Sequence, residues 1–262
     1  MTWNKSKDVF ALMVGHGTSL DGTWDPGCTY GGYTEAGLCQ SITKYAVKYL
    51  RQSGVRVISD SDSKNNKNMI ACTSWANKDK AKYYMSVHCD YSGASKGVYP
   101  LYVSAAGKKM AKAVGKSVAE QMNMRYKGTC KRTDLYELNA SNMPAVIFEA
   151  GAIKADLDKL KQGKKYGKAL AKAICNFLNV KLIDGSGIAL PPRGYFQLGD
   201  IGENVRVLQK FLNKYDFDCG EADGIYGKQT VSAVKKFQKR YGLEVDGMFG
   251  KESLKVADTK YS

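Results

Sequence analysis

The chain has 262 residues, 44% of them hydrophobic, enough to bury one large core or a large and a small one. No stretch approaches the roughly 18 consecutive apolar residues that a membrane span needs, and the opening "MTWNKSKDVF" has neither the apolar core nor the cleavage site of a secretory signal. The net charge of +15 is uneven, with 27 Lys and Arg against 14 Asp and Glu over residues 1–178 and 11 against 10 over 196–262. No zinc-finger, RNP or basic-zipper pattern accompanies the lysines, which disfavours nucleic acid as partner.

Seven cysteines, an odd number without a C-x-x-C pair, argue against a disulfide framework and for synthesis in a reducing cytoplasm. In chain order, "DVFALMVGHG" reads as a strand running into a glycine loop that carries His16, one of only two histidines. "TEAGLCQSITKYAVKYLRQSG" follows as a helix, with Leu38, Ile42, Tyr45, Tyr49 and Leu50 at helical spacing, Thr34 as N-cap and Gly54 past the end. "VRVIS", "KYYMSVHCD" and "GVYPLYVS" are strands, and "AAGKKMAKAVGKSVAEQM" is an amphipathic helix through Met110, Val114 and Val118. "PAVIFEAG" is a buried strand, and a helix covers about 156–178. This alternation predicts an α/β fold, a mostly parallel sheet flanked by helices on both faces.

Periodicity lapses over 179–195, where Gly-Ser-Gly and Pro-Pro mark a linker between a first domain, 1–178, and a second, 196–262. The second part predicts a small all-α helical bundle, with amphipathic helices in "ENVRVLQKFLNKY" and "QTVSAVKKFQKRYG". It also repeats itself: "ADGIYGKQT" at 222–230 returns as "VDGMFGKES" at 245–253. Asp-Gly makes a turn, Tyr226 and Phe249 plug the core, and Thr230 or Ser253 can cap the next helix. An EF-hand is a poor alternative, because its alternating oxygen ligands are missing.

His16 follows the first strand, His88 ends another, Glu35 opens the first helix and Glu149 closes "PAVIFE". In open α/β sheets ligands gather beyond the carboxyl ends of strands. Two imidazoles and one carboxylate form the usual ligand set of a hydrolytic zinc, and a further carboxylate could act as general base and acid. The residues alone leave structural roles open: Glu35 could simply favour the positive end of a helix, and Glu149 could be a paired carboxylate at a strand end.

Residues 8–178 resemble the zinc-dependent N-acetylmuramoyl-L-alanine amidases of the type 3 family. The resemblance lies in "GHG" at 15–17, "DPGCTYGGYTEAG" at 25–37, "SVHCD" at 86–90 and "PAVIFEAGAI" at 144–153. It implies a Zn2+ cofactor held by His16, Glu35 and His88, with Glu149 as the catalytic acid–base. The chain departs from the family's usual D-P-G-H-G-G by carrying Met13 and Val14 ahead of "GHG", so support for His16 would come from elsewhere, with Asp25 the candidate. The usual S-x-H-x-N is "SVHCD", which makes Asp90 a second candidate for orienting the site or for competing with Glu35 as ligand. Residues 196–257 resemble a small peptidoglycan-binding module through "LGDIGENVRVLQKFLN", "DGIYG" and "FQ".

Together the two resemblances imply a peptidoglycan hydrolase that cleaves the amide between N-acetylmuramic acid and L-alanine. The lack of a signal suggests a phage endolysin made in the host cytoplasm, dependent on a holin for release and acting at the cell wall. Alternatives are a bacterial autolysin or spore enzyme, a zinc peptidase cutting within the stem peptide, and a wall-binding protein with a dead site.

Overall fold

The computed structural model describes residues 2–62, 66–183 and 185–261. The chain forms two units that part between Leu182 and Ile183. In the first, six strands make one sheet: β1 (Val9–Val14), β2 (Arg56–Ile58), β3 (Tyr83–Asp90), β4 (Tyr99–Tyr102), β5 (Cys130–Lys131) and β6 (Ala145–Ala152), in the spatial order β2-β1-β3-β6-β4-β5. The strands β2, β1, β3 and β6 run parallel; β4 pairs antiparallel with β6, and β5 lies parallel to β4 at the edge. The sheet is mostly parallel, as the alternation of strands and helices predicts.

Both faces are covered because the parallel strands are apolar on both sides. Along β1, Phe10, Leu12 and Val14 enter the larger core beneath α1 (Glu35–Gln52), α3 (Ala105–Met122) and α6 (Gly163–Leu178). Their neighbours Ala11 and Met13 point the other way, onto Cys72 and Ala76 of α2 (Met69–Lys78) and Leu138 of α4 (Tyr136–Ala140). At the start of α1 the Thr34 hydroxyl accepts from the Gly37 N–H at 3.1 Å, fixing the turn from which Glu35 projects.

The sequence reading missed α2, α4, β5 and two two-residue hairpins, Gly17–Thr18 with Trp24–Asp25 and Thr29–Tyr30 with Tyr33–Thr34. The reason is physical: α2 buries only the small Cys72, Thr73 and Ala76 and leaves Met69 and Ile70 exposed, so it shows no apolar stripe. The single helix expected over 156–178 is two, α5 (Leu157–Leu160) and α6.

The second unit holds α7 (Glu203–Lys214), α8 (Lys228–Arg240) and α9 (Lys251–Tyr261) around Val205, Leu208, Leu212, Val234 and Phe237. Tyr226 and Phe249 are fully buried in this core. The duplicated turns share one device that the sequence reading did not see, a glutamine on the preceding helix. The Gln209 amide nitrogen donates to Asp223 Oδ1 and the Ile225 carbonyl, both at 2.9 Å, and its oxygen accepts from the Gly224 N–H at 2.7 Å. Gln238 repeats the pattern with Asp246 Oδ1 (2.7 Å), the Met248 carbonyl (2.9 Å) and the Gly247 N–H (2.9 Å). Thr230 does not cap α8: the cap position is Gly227, without a side-chain bond, and the Thr230 hydroxyl receives Gln209 instead. The stretch read as a linker is anchored at both ends, with Val180 and Leu182 on the first core and Ile188 and Leu190 on the second.

Candidate metal centre and active site

Register brings the site together. The end of β1 lies beside β3, with Val14 opposite Val87, and on the other side of β3 His88 is opposite Glu149 of β6. His16, just past β1, therefore reaches the same carboxyl edge as His88 and Glu149. It turns there through a left-handed backbone, φ 64°, a conformation that a non-glycine residue adopts at a cost and that clusters at functional sites.

The glycines around His16 are required by close approach. A Cβ on Gly15 would lie 2.6 Å from the His88 ring. A Cβ on Gly27, itself at φ 67°, would lie 2.6 Å from His16 Cδ2 and 2.7 Å from Glu35 Oε2.

His16, Glu35 and His88 each offer one ligand atom, and these atoms all lie within 4.8 Å of one another. Glu35 Oε1 sits 3.2 Å from His16 Nε2 and 3.0 Å from His88 Nδ1. The N–H groups of Cys89 and Cys28 hold its two oxygens, each at 3.0 Å. Two imidazole nitrogens converging on one carboxylate oxygen is the donor set that a zinc ion takes, so the residues present fit such an ion. Burial alone would raise the pKa of Glu35, but hydrogen bonds from both imidazoles overcome it and hold the carboxyl well below the usual range. Burial likewise opposes the charged imidazoles, yet the hydrogen bonds from His16 to Glu35 and Asp25, and the carboxylates of Glu137 and Glu35 beside His88, raise both.

Glu149 differs. It takes no part in this ion-pair cluster, and its buried Oε2 has no hydrogen-bond partner among the described residues. Burial, reinforced by the negative Glu35 and Asp90 and opposed by His88, pushes its carboxyl up to about 7.

The two flanking acids go separate ways. Asp25 Oδ2 lies 2.7 Å from His16 Nδ1, on the side of the ring away from Glu35. Asp90 pairs with Lys127 Nζ at 3.2 Å and does not join the His16, Glu35 and His88 group. The residue that sequence reasoning missed is Glu137 of α4. It is only 4% exposed, and its Oε2 lies 3.3 Å from His88 Nε2. The available signal was a lone acid in "DLYELNA" just ahead of the buried strand, but its partners lie some fifty residues away in sequence. Beside the histidines a cleft of about 420 Å³ opens, lined by Ser19, Leu20, Asp21, Asn68, Met69 and Ile70.

A family profile described as N-acetylmuramoyl-L-alanine amidase matches residues 11–180, and one described as a peptidoglycan binding domain matches residues 201–256. A spore cortex-lytic enzyme of Bacillus cereus is 40% identical over 67 residues, 25% of this chain and 26% of that enzyme, so the match spans about a quarter of the relative's length. Among solved structures, the N-acetylmuramoyl-L-alanine amidase AmiC2 of Nostoc punctiforme is similar at 22% identity and a TM-score of 0.58, covering 66% of this chain and 98% of that one. The catalytic domain of the CD27L endolysin targeting Clostridia difficile is similar at 21% identity and a TM-score of 0.53, covering 64% and 97%. At these identities the structural likeness is one of fold.

Proposed function

The chain belongs to the N-acetylmuramoyl-L-alanine amidase family, and from that premise we propose that it is a zinc-dependent hydrolase cutting the amide between N-acetylmuramic acid and the L-alanine of the stem peptide. The observation that carries the reading is a buried carboxylate with an unpartnered oxygen, Glu149, in register with one of two histidines that converge on Glu35. A zinc ion held by His16, Glu35 and His88 would polarise the lactyl carbonyl and acidify the attacking water. Glu149 takes the proton from that water, and its raised pKa suits it to give the proton up again to the departing amine of L-alanine. Asp25 holds the proton on His16 Nδ1 and leaves Nε2 turned toward Glu35.

Purified sacculi are the test substrate. New L-alanine amino termini, with fragment masses of intact stem peptides, are the expected products; cuts between residues of the stem peptide would make the enzyme a peptidase instead. Activity should vanish on chelation and return with zinc, whereas a wall-binding protein with a dead site would release no amines at all.

The second unit, within the matched residues 201–256, would keep the enzyme on peptidoglycan and raise the local substrate concentration. For the biological role we propose a phage endolysin, made in the host cytoplasm and released through a holin; its seven free cysteines suit a reducing compartment. The match to a spore cortex-lytic enzyme favours a second reading, a bacterial wall-remodelling amidase. Cells accumulating the protein should lyse only when a pore-former opens the membrane if it is an endolysin, and without one if the chain is exported.

A further inference from the structure

Glu137 is a buried carboxylate that no step above uses. Tyr84, Ser86 and His88 alternate along β3 and so share one face, and α4 lays the Glu137 side chain against that face. Its Oε1 accepts from the Tyr84 hydroxyl at 2.6 Å and its Oε2 from the Ser86 hydroxyl at 3.2 Å. Its Oε2 also stands 3.3 Å from His88 Nε2, an ion-pair contact that does not meet hydrogen-bond geometry, while His88 Nδ1 faces Glu35 at 3.0 Å.

The geometry points to Glu137 as a positioning residue that keeps the proton of His88 on Nε2, so that the lone pair on Nδ1 is presented to the metal centre. This rests on the metal reading proposed above. A neutral imidazole has one N–H and one lone pair, and a carboxylate at one nitrogen decides which is which. The two hydroxyls do not require the charge: a neutral amide in the same place can accept from Tyr84 through its oxygen and donate to the Ser86 hydroxyl through its NH2. A buried negative charge is expensive unless a positive or strongly polarised donor meets it, and the imidazole is the group here that does so. His16 is served in the mirrored sense: Asp25 is at its Nδ1 and its Nε2 faces Glu35. The two histidines thus present opposite ring nitrogens, each with a carboxylate behind it.

The test uses the full chain carrying Glu137→Gln, with Tyr84→Phe as the control that removes a tie of α4 to β3 but leaves the charge on His88. Zinc affinity is measured by competition with a chromophoric chelator, and thermal stability is measured on the metal-free proteins. Glu137→Gln is expected to keep the metal-free Tm near wild type and to weaken zinc binding about 10- to 100-fold, the usual effect of removing such an outer carboxylate. Tyr84→Phe should leave zinc affinity unchanged. Wild-type affinity in Glu137→Gln, or equal losses in both variants tracking their Tm, would reduce Glu137 to a tie between elements and overturn the proposal. If Glu137→Gln fails to fold, nitrogen-15 NMR of the zinc-loaded wild type decides. A protected, downfield His88 Nε2–H is expected, and a freely exchanging proton at an ordinary shift rejects the role. A wild-type chain that binds no zinc would bring down the metal reading itself, whereas normal wild-type binding with an indifferent Glu137→Gln removes this inference alone.

Discussion

Burial suits Glu149 to the proposed acid–base role, because a carboxyl raised to about 7 can both take and return a proton. Glu149→Gln keeps the volume but removes the acceptor, and it is expected to retain zinc and fold while turnover on sacculi falls about 100-fold or more. Near-normal turnover would move the base elsewhere. The metal-free protein should also show the site in its pH stability. Burial works against charged His16 and His88, but their carboxylate partners raise both, so their stabilisation is complete below about pH 6.5 and is lost as pH rises through the folded values. Glu149, raised by burial, acts in the same direction between 4.5 and about 7. Glu35, lowered by its imidazoles against burial, acts oppositely, and its stabilisation disappears as pH falls below 4.5. Thermal melts without metal should therefore peak between pH 4.5 and 6.5, and the gain on adding zinc should grow above that window, where the imidazoles are neutral. A metal-free Tm that climbs from pH 6 to 8 would contradict these assignments. The sequence placed His16, Glu35, His88 and Glu149 near the boundaries of patterned elements, although the strands run on past His88 to Asp90 and past Glu149 to Ala152, and only the family resemblance attached roles to them. Glu137 was not, since only the pairing of α4 with β3 brings it to His88.

At the scale of elements, patterning reveals what buries a stripe of large residues and conceals what does not. Helices α1, α3 and α6 were readable from their apolar faces, whereas α2, with its small buried residues, was invisible. The duplicated turn of the second unit was legible as a repeat, but the cap expected of Thr230 is absent and the glutamine that ties the turn went unread. Gln209 is 1% exposed and ties the 223–225 turn by three hydrogen bonds to Asp223, Gly224 and Ile225. Gln209→Leu would strand those partners, at a cost of about 1–3 kcal/mol for buried polar groups left unpaired. Hydrogen exchange of the full chain is the fitting measurement, because all three tryptophans, Trp3, Trp24 and Trp75, lie in the first unit and fluorescence would miss the change. Protection should fall across 201–256 and hold in β1, β3 and β6. Unaltered protection in the second unit would show that the glutamine is dispensable.

The whole molecule divides its charge as it divides its fold, and that division can be tested by cutting. A break after residue 178 would strip Val180 and Leu182 from the first core, so we propose the cut between Leu182 and Ile183. The first fragment then carries 28 Lys and Arg against 14 Asp and Glu, the second 12 against 11. In the first fragment the charge is concentrated on adjacent helices. From 164 to 172 every exposed residue of α6 is a lysine (Lys164, Lys165, Lys168 and Lys172), and α3, packed beside it, exposes Lys108, Lys109, Lys112 and Lys116. Each fragment has its own buried core, so both should fold alone, the first retaining zinc. In pull-downs with purified walls, the first fragment is expected to adhere at low ionic strength and to let go as salt rises toward 1 M, where the screening length falls to about 3 Å. The nearly neutral second fragment should sediment with walls almost independently of salt, because shape and hydrogen bonding rather than net charge would hold it. If the second fragment stays in the supernatant, or the first holds on equally at high salt, the proposed separation of wall anchoring from catalysis between the two units fails, and the chemistry at Glu149 is untouched by that result.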